Sequence, residues 1–99
     1  MLVHSVYFWL KEGVSEEEKA AFQAGLESLR GIPVAKGLYI GNPAPTPKRP
    51  VIEDSYSFGL VVLFDDMAGH DLYQVHPLHK AFLEKFSAYW TRVGIFDFE

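Results

Sequence analysis

The chain has 99 residues, of which 48% are hydrophobic, and its formal charge at pH 7 is -4. This length is typical of one compact domain, so residues 1–99 are interpreted as a single domain. The net negative charge and the lack of a Lys/Arg cluster argue against a nucleic-acid partner or an anionic membrane surface, and the absence of cysteine excludes disulfides and thiolate metal sites. No apolar run approaches the roughly 20 residues that span a bilayer, and the first residues lack the features of a secretion signal, so we expect a cytoplasmic protein.

The first third of the chain predicts a strand followed by a helix. Leu2 to Leu10 alternates with a period of two, and both of its faces are largely apolar, so we expect both to be covered. Ser15 to Glu18 has the pattern of a capping box, which places the start of a helix at Ser15. The helix is predicted to end near Arg30, because Gly31 can take the left-handed closing conformation and Pro33 prevents continuation.

The middle of the chain predicts two strands joined by a long connection. Val34 to Gly41 is typical of a strand, and Asn42 to Ser55 contains four prolines and several polar residues, which favour an exposed loop. Tyr56 to Phe64 alternates most clearly, with large apolar residues at every second position. We therefore expect this last strand to lie in the middle of the sheet.

The last third predicts a broken helix and a closing strand. Asp65-Asp66 begins a helical stretch that runs to about Val75, and Pro77 is tolerated at the first turn of a second helix. The helix is therefore predicted to break at His76-Pro77, and Trp90 to Phe98 then forms a strand. The resulting order β-α-β-β-α-β matches the split βαβ, ferredoxin-like arrangement of the α+β class.

The run Tyr73 to His79 (YQVHPLH) concentrates side chains that can transfer protons. Imidazole has an unperturbed pKa near neutrality, and a phenol can donate a hydrogen bond, so Tyr73 and His79 are candidates for acid/base chemistry. His4 lies on one face of the first predicted strand and is a second candidate, either as a buried, hydrogen-bonded side chain or as a pocket contact. His70 is expected to be solvated surface.

These segments resemble the Dabb family, the stress-responsive dimeric α/β-barrel domain, over essentially the whole chain. The resemblance depends on His4, on YSFGLVVLFD (Tyr56 to Asp65), on YQVHPLH (Tyr73 to His79) and on WTRVGIFDF (Trp90 to Phe98). It implies a ferredoxin-like protomer whose four-stranded sheet pairs with that of a second copy to form a dimeric α/β barrel, with the helices outside.

The resemblance also implies a site. A plant polyketide cyclase of the family performs an aldol condensation without a metal, and its acid/base positions correspond to His79 and Tyr73, with His4 in the pocket. The apolar positions that it implies as substrate-binding are Val6, Phe8, Phe22, Leu26, Phe58 and Leu60. Phe82 joins this set, because Phe8, Phe22, Phe58 and Phe82 are predicted to converge, and four rings that filled the space would leave no room for a ligand.

The sequence therefore favours a homodimer that binds a small, mostly apolar molecule between sheet and helices, without a cofactor. If the protein is an enzyme, His79 is the predicted base and Tyr73 the hydrogen-bond donor for cofactor-free chemistry at a carbon next to a carbonyl.

Three alternatives remain open. In the first, a non-catalytic stress-response or interaction protein, the histidine motif is structural: His76 caps a turn beside Pro77 and His79 bonds a strand group. The second is a monooxygenase of the dimeric α/β-barrel superfamily. The third is a metal centre formed by His76, His79 and Asp71, which is disfavoured because Pro77 disturbs the turn between the two histidines; no metal is predicted.

Overall fold

A four-stranded antiparallel sheet packs against three helices in the computed structural model, which describes residues 1–99. The strands are β1 (Leu2–Leu10), β2 (Gly37–Gly41), β3 (Phe58–Phe64) and β4 (Trp90–Phe98). The helices are α1 (Glu16–Ser28), α2 (Met67–Val75) and α3 (Pro77–Phe86). None of these helices is long and apolar enough to cross a membrane.

The strand order β2-β3-β1-β4 confirms the predicted ferredoxin-like topology. All three neighbouring pairs are antiparallel, so β1 and β2 run in the same direction with β3 between them. The central position predicted for β3 is confirmed. The register places His4 opposite Val62 of β3 and opposite Asp97 of β4, so these three side chains lie on the same face of the sheet.

One face of the sheet holds the hydrophobic core. Phe58, Leu60, Val62 and Phe64, which alternate along β3, are all buried against the helices. The opposite face carries side chains that are only partly covered or are exposed: Val3, Tyr7, Tyr39, Val61, Phe96 and Phe98. The doubly apolar character predicted for β1 thus corresponds to one face covered by helices and one face that no helix covers.

Helix α1 begins as predicted. The hydroxyl of Ser15 accepts the backbone N–H of Glu18 at 3.1 Å, and the carboxylate of Glu18 accepts the backbone N–H of Ser15 at 3.0 Å. Its end differs from the prediction, because the helix tightens into a 3₁₀ turn over Leu29–Gly31 and Gly31 does not adopt positive φ. Gly31 has a steric role instead, since a Cβ there would lie 2.9 Å from Cδ1 of Leu78.

Two strand starts were predicted too early. Strand β2 begins at Gly37 and not at Val34, because the backbone N–H of Ala35 bonds the carbonyl of Ile32 at 3.1 Å and so forms a turn. Strand β3 begins at Phe58, because Tyr56 lies in the preceding connection and packs edge-on against Tyr7 with ring centroids 5.0 Å apart. The irregular connection over residues 42–55 is confirmed.

Candidate functional site

The site is positioned by the break between α2 and α3. Helix α2 starts at the cap Asp66, whose side chain accepts the backbone N–H of Gly69 at 3.1 Å, and it ends at Val75. The ring Nδ1 of His76 then accepts the backbone N–H of Leu78 at 3.1 Å, with Pro77 at the first position of α3. The predicted capping role of His76 is confirmed, and this histidine is a structural part of the motif.

A cavity of about 170 Å³ lies between the sheet and helices α2 and α3. Seven of the residues predicted for the site line it: His4, Val6, Phe8, Leu60, Tyr73, His79 and Phe82. The remaining wall is mostly apolar. The structure thus brings together all three predicted polar groups and four of the predicted apolar ones.

Phe22, Leu26 and Phe58 were also predicted to contact a ligand, and they do not line the cavity. Phe22 and Leu26 are completely buried, and the Phe22 ring lies 5.2 Å from the rings of both Phe8 and Phe58. The predicted convergence of phenylalanines is therefore real: Phe22 and Phe58 fill the space beneath α1, whereas Phe8 and Phe82 also line the cavity. The cavity remains open on the side of β4.

Six lining residues were missed by the sequence interpretation: Leu29, Gln74, Leu83, Trp90, Val93 and Ile95. The alternation of β4 contained a signal for two of them, because the register places Ile95 opposite Val6 and Val93 opposite Phe8. Leu83, Val93 and Ile95 are 39%, 39% and 53% exposed, so the mouth of the cavity lies between α3 and β4.

Tyr73 and His79 meet across the helix break, with ring centroids 4.8 Å apart. Tyr73 is 1% exposed, and burial raises the pKa of its phenol, so the hydroxyl keeps its proton and can donate a hydrogen bond. Burial and, next, the neighbouring His4 lower the pKa of His79, while the backbone carbonyl of Gln74 has an opposing effect. The His79 imidazole is therefore neutral at pH 7 and can accept a proton.

The two ring nitrogens of His79 have different surroundings. Nδ1 is buried and makes no hydrogen bond of regular geometry; the acceptor that acts on the ring is the backbone carbonyl of Gln74 on α2, not a strand group as in the alternative. Since Nδ1 is closed to solvent, Nε2 is the nitrogen left for a ligand in the cavity. A buried polar atom without a well-formed hydrogen bond costs up to about 1–3 kcal/mol, so Nδ1 adds little to the stability of the fold.

His4 is held by a carboxylate. It is 3% exposed, its Nδ1 lies 2.5 Å from Oδ1 of Asp97, and its ring centroid is 5.8 Å from that of Tyr73. Burial lowers the pKa of His4, and the hydrogen bond and charge of Asp97 oppose this shift. Because an ionised carboxylate only accepts, Nδ1 of the neutral ring donates and Nε2 is the accepting nitrogen.

His70 is not the solvated residue that the sequence suggested. Its side chain is 17% exposed, and its ring contacts that of His4 edge-on at 5.2 Å. The physical reason is its position three residues before Tyr73, which places both side chains on the same face of α2. Asp71, the next residue, is exposed, but its Oδ1 lies 3.1 Å from Nδ1 of His70.

Residues 2–99 match the family model described as the Stress responsive A/B Barrel Domain, Dabb. The chain belongs to the Dabb family. It is 24% identical to olivetolic acid cyclase from Cannabis sativa over 96 residues, which cover 96% of this chain and 92% of the relative.

Solved structures share the fold. A hydroxynitrile lyase from Passiflora edulis superposes with a TM-score of 0.81 at 18% identity, covering 98% of this chain and 90% of the lyase. A dimeric ferredoxin-like protein of unknown function from Thermobifida fusca superposes with a TM-score of 0.80 at 22% identity, covering 98% of this chain and 88% of that protein. These similarities confirm the Dabb resemblance and the ferredoxin-like fold.

Proposed function

We propose that this Dabb protein is a homodimer whose protomers each bind a small, mostly apolar carbonyl compound and transfer a proton at the carbon next to the carbonyl. The observation that carries the proposal is the pairing of a neutral His79 with a protonated Tyr73, 4.8 Å apart on the wall of an otherwise apolar cavity. The names of two relatives, a cyclase and a hydroxynitrile lyase, support enzymatic chemistry on this fold.

The size of the cavity limits the ligand. An apolar cavity of about 150 Å³ binds benzene, whereas drug-sized ligands occupy roughly 300–1,000 Å³. The cavity of about 170 Å³ in this protein therefore fits a single ring or a short alkyl chain that carries one carbonyl group. Val93 and Ile95 at the mouth provide the apolar surface along which such a molecule enters.

The proposed step needs no cofactor. Nε2 of His79 takes a proton from the carbon next to the carbonyl, which leaves an enolate on the ligand and an imidazolium on His79. The phenol of Tyr73 donates a hydrogen bond to the enolate oxygen, in a site where low solvent exposure strengthens that bond. His4, oriented by Asp97, provides a second polar contact for the ligand. Return of the proton from His79 completes the cycle.

The homodimer is supported by the uncovered face of the sheet. Tyr39, Phe96 and Phe98 on that face are 64%, 62% and 62% exposed, although their strands form the framework of the domain. A second copy that lays the same face of its sheet on this one would remove these rings from water, with twofold symmetry. The dimeric protein from Thermobifida fusca is consistent with such an assembly.

The experiment that tests the chemistry is hydrogen–deuterium exchange next to the carbonyl. The full chain is incubated in D₂O with a panel of one-ring and short-chain aldehydes and ketones, and deuterium incorporation is followed by NMR. We expect exchange of at least one compound, its loss in His79→Leu, and a slowing of roughly 100-fold in Tyr73→Phe. The matched control is His76→Asn, which keeps a helix-capping side chain outside the cavity and should retain exchange.

Binding of the same panel is measured by ligand-observed NMR. Binding without exchange would reject the enzymatic part of the proposal and favour a carrier or sensor of small molecules. Absence of both binding and exchange across the panel would reject the ligand as well, and the non-catalytic interaction protein would then be the better interpretation.

A further inference from the structure

Three side chains from three different elements meet where β1 begins. His4 lies on β1, His70 on α2 and Asp97 on β4, and one potential ligand atom of each lies within 4.8 Å of the other two. His70 does not line the cavity, and the chemistry proposed above does not use it. The cluster also differs from the set of His76, His79 and Asp71 considered from the sequence.

The charge of this cluster is incompletely balanced. The only ion pair of Asp97 is with His4, and no lysine or arginine lies within 4 Å of its carboxylate. The carboxylate therefore faces two imidazole rings and no permanent cation. A cation would compensate its charge, and neutral imidazole is the form that binds metals.

The donor set defines the kind of cation. Two imidazole nitrogens and one carboxylate oxygen are typical ligands of zinc and of other divalent first-row transition metals, whereas magnesium and calcium prefer oxygen alone. Three protein ligands around a tetrahedral ion leave the fourth position to water or a small ligand. The ligands also come from three packed elements, which limits the flexibility of the site.

We propose that His4, His70 and Asp97 form a binding site for one divalent transition-metal cation of the zinc type per chain. Metal bonds of about 2.0–2.2 Å place tetrahedral ligand atoms roughly 3.3 Å apart. The His4–Asp97 pair, now at 2.5 Å, must therefore open slightly. The His70 ring, whose Nδ1 lies 3.1 Å from Oδ1 of Asp71 and whose Nε2 lies 3.4 Å from Nε2 of Gln74, must exchange one of these contacts for the metal and move closer. Asp97 can make room, because its side chain is 40% exposed on an edge strand.

The test uses Zn²⁺ alone, without any organic ligand, so its outcome is independent of the proposed proton transfer. Tag-free full-length protein is stripped with a chelator, dialysed and titrated with Zn²⁺ by calorimetry. A second titration with Co²⁺ follows the visible absorption that the bound ion acquires from its ligands. We expect one ion per chain, and an absorption typical of mixed nitrogen and oxygen coordination.

Two substitutions and one control test whether Zn²⁺ binds at His4, His70 and Asp97. His70→Leu removes a partly exposed ligand, and Asp97→Asn keeps the shape of the side chain while removing its charge; each should weaken Zn²⁺ binding by more than about 100-fold. His76→Asn, outside the cluster, should bind as the unmodified chain does. Circular dichroism verifies that each variant is folded.

Failure of the folded, unmodified chain to bind Zn²⁺ would overturn the proposal. It would equally be overturned if Zn²⁺ bound but His70→Leu and Asp97→Asn left the affinity unchanged, since the ion would then lie elsewhere, or if His76→Asn alone abolished binding.

Discussion

The imidazole of His79 packs against the phenol ring of Tyr73, yet its buried Nδ1 makes no hydrogen bond of regular geometry. Such a group contributes little to the stability of the fold, because its hydration is lost and no well-formed hydrogen bond replaces it. Burial also raises the pKa of the phenol and lowers that of the imidazole, so both groups are held uncharged at neutral pH. The pair has the properties of a proton donor and a proton acceptor, with the donor buried and the acceptor partly buried.

Substitution of His79 by leucine should separate stability from function. His79→Leu removes the unpartnered nitrogen and keeps an apolar side chain in the wall, so the free energy of unfolding should stay constant or rise by about 1 kcal/mol. Deuterium exchange of a bound carbonyl compound should disappear. Urea unfolding followed by circular dichroism measures the first effect. A loss of stability above about 2 kcal/mol would instead assign His79 a structural role.

His76→Ala is the matched comparison, because it changes the other histidine of the motif. This substitution removes the acceptor for the backbone N–H of Leu78, and loss of a helix cap costs about 1 kcal/mol. The two histidines should therefore shift stability in opposite directions. Equal destabilisation by both substitutions would contradict the roles assigned to them.

Stability should fall as the pH is lowered through the range in which free histidine titrates. His4 and His79 have pKa values below their usual 6.5, chiefly through burial, so between these lowered values and 6.5 the unfolded chain binds more protons than the folded one. The free energy of unfolding then decreases with decreasing pH, by at most about 1.4 kcal/mol per unit for each imidazole, and this loss is absent above about pH 7.

Urea titrations at about pH 7.5, 6.5 and 5.5 measure this dependence, at values above the range in which most carboxylates titrate. In His79→Leu the decrease between the first and last pH should be smaller, because one of the two imidazoles is gone. Identical pH dependence in the variant and the unmodified chain would show that His79 does not contribute.

A bulky side chain at the mouth should block the cavity. Leu83 on α3 lines the mouth and is 39% exposed, so Leu83→Trp can place its ring across the opening without disturbing the core. Ligand binding measured by NMR should weaken at least about tenfold, because the ring competes for the ligand's volume. Lys80→Trp, one turn earlier on the same helix and outside the cavity wall, is the control. Equal binding by both variants would argue that ligands enter elsewhere.

A charge on the open face of the sheet should disrupt the proposed homodimer. Phe96 is 62% exposed on that face, and Phe96→Lys would place an ammonium group in an interface that excludes water. Analytical ultracentrifugation should show monomers at concentrations at which the unmodified chain is dimeric. Leu72→Lys changes a residue of similar exposure, 58%, on α2 and should leave the dimer intact. Dissociation by Leu72→Lys alone would place the interface on the helices.

Local signals predicted most of the fold. The capping box at Ser15 and the proline at position 77 act within a few residues, and the strand Trp90–Phe98 was predicted with the bounds that the structure shows. The start of β2 was misplaced, because the turn over Ile32 to Ala35 depends on one backbone hydrogen bond. The residue type of Val34, which favours a strand, gives no indication of that bond.

The site could be predicted only in part. Its polar residues have distinctive chemistry, but the division of apolar residues between filled core and cavity wall depends on the volumes of side chains from all three helices and several strands. The contact between His4 and Asp97 joins residues 93 positions apart, and it follows from the register of β1 and β4 alone. The burial of His70 likewise depends on which face of α2 packs against the sheet.

The interruption at His76-Pro77 determines how the side chains of Tyr73 and His79 are oriented relative to each other. Tyr73 and His79 are six positions apart, and in an uninterrupted α-helix, at about 100° per residue, their side chains would diverge by roughly 120° around the axis. Because a new helix starts at Pro77, its axis can run in a different direction from that of α2. Both rings therefore reach the same cavity. The break thus fixes the relative orientation of the two helices. A continuous helix would separate the acid–base pair, although both residues were still present in the sequence.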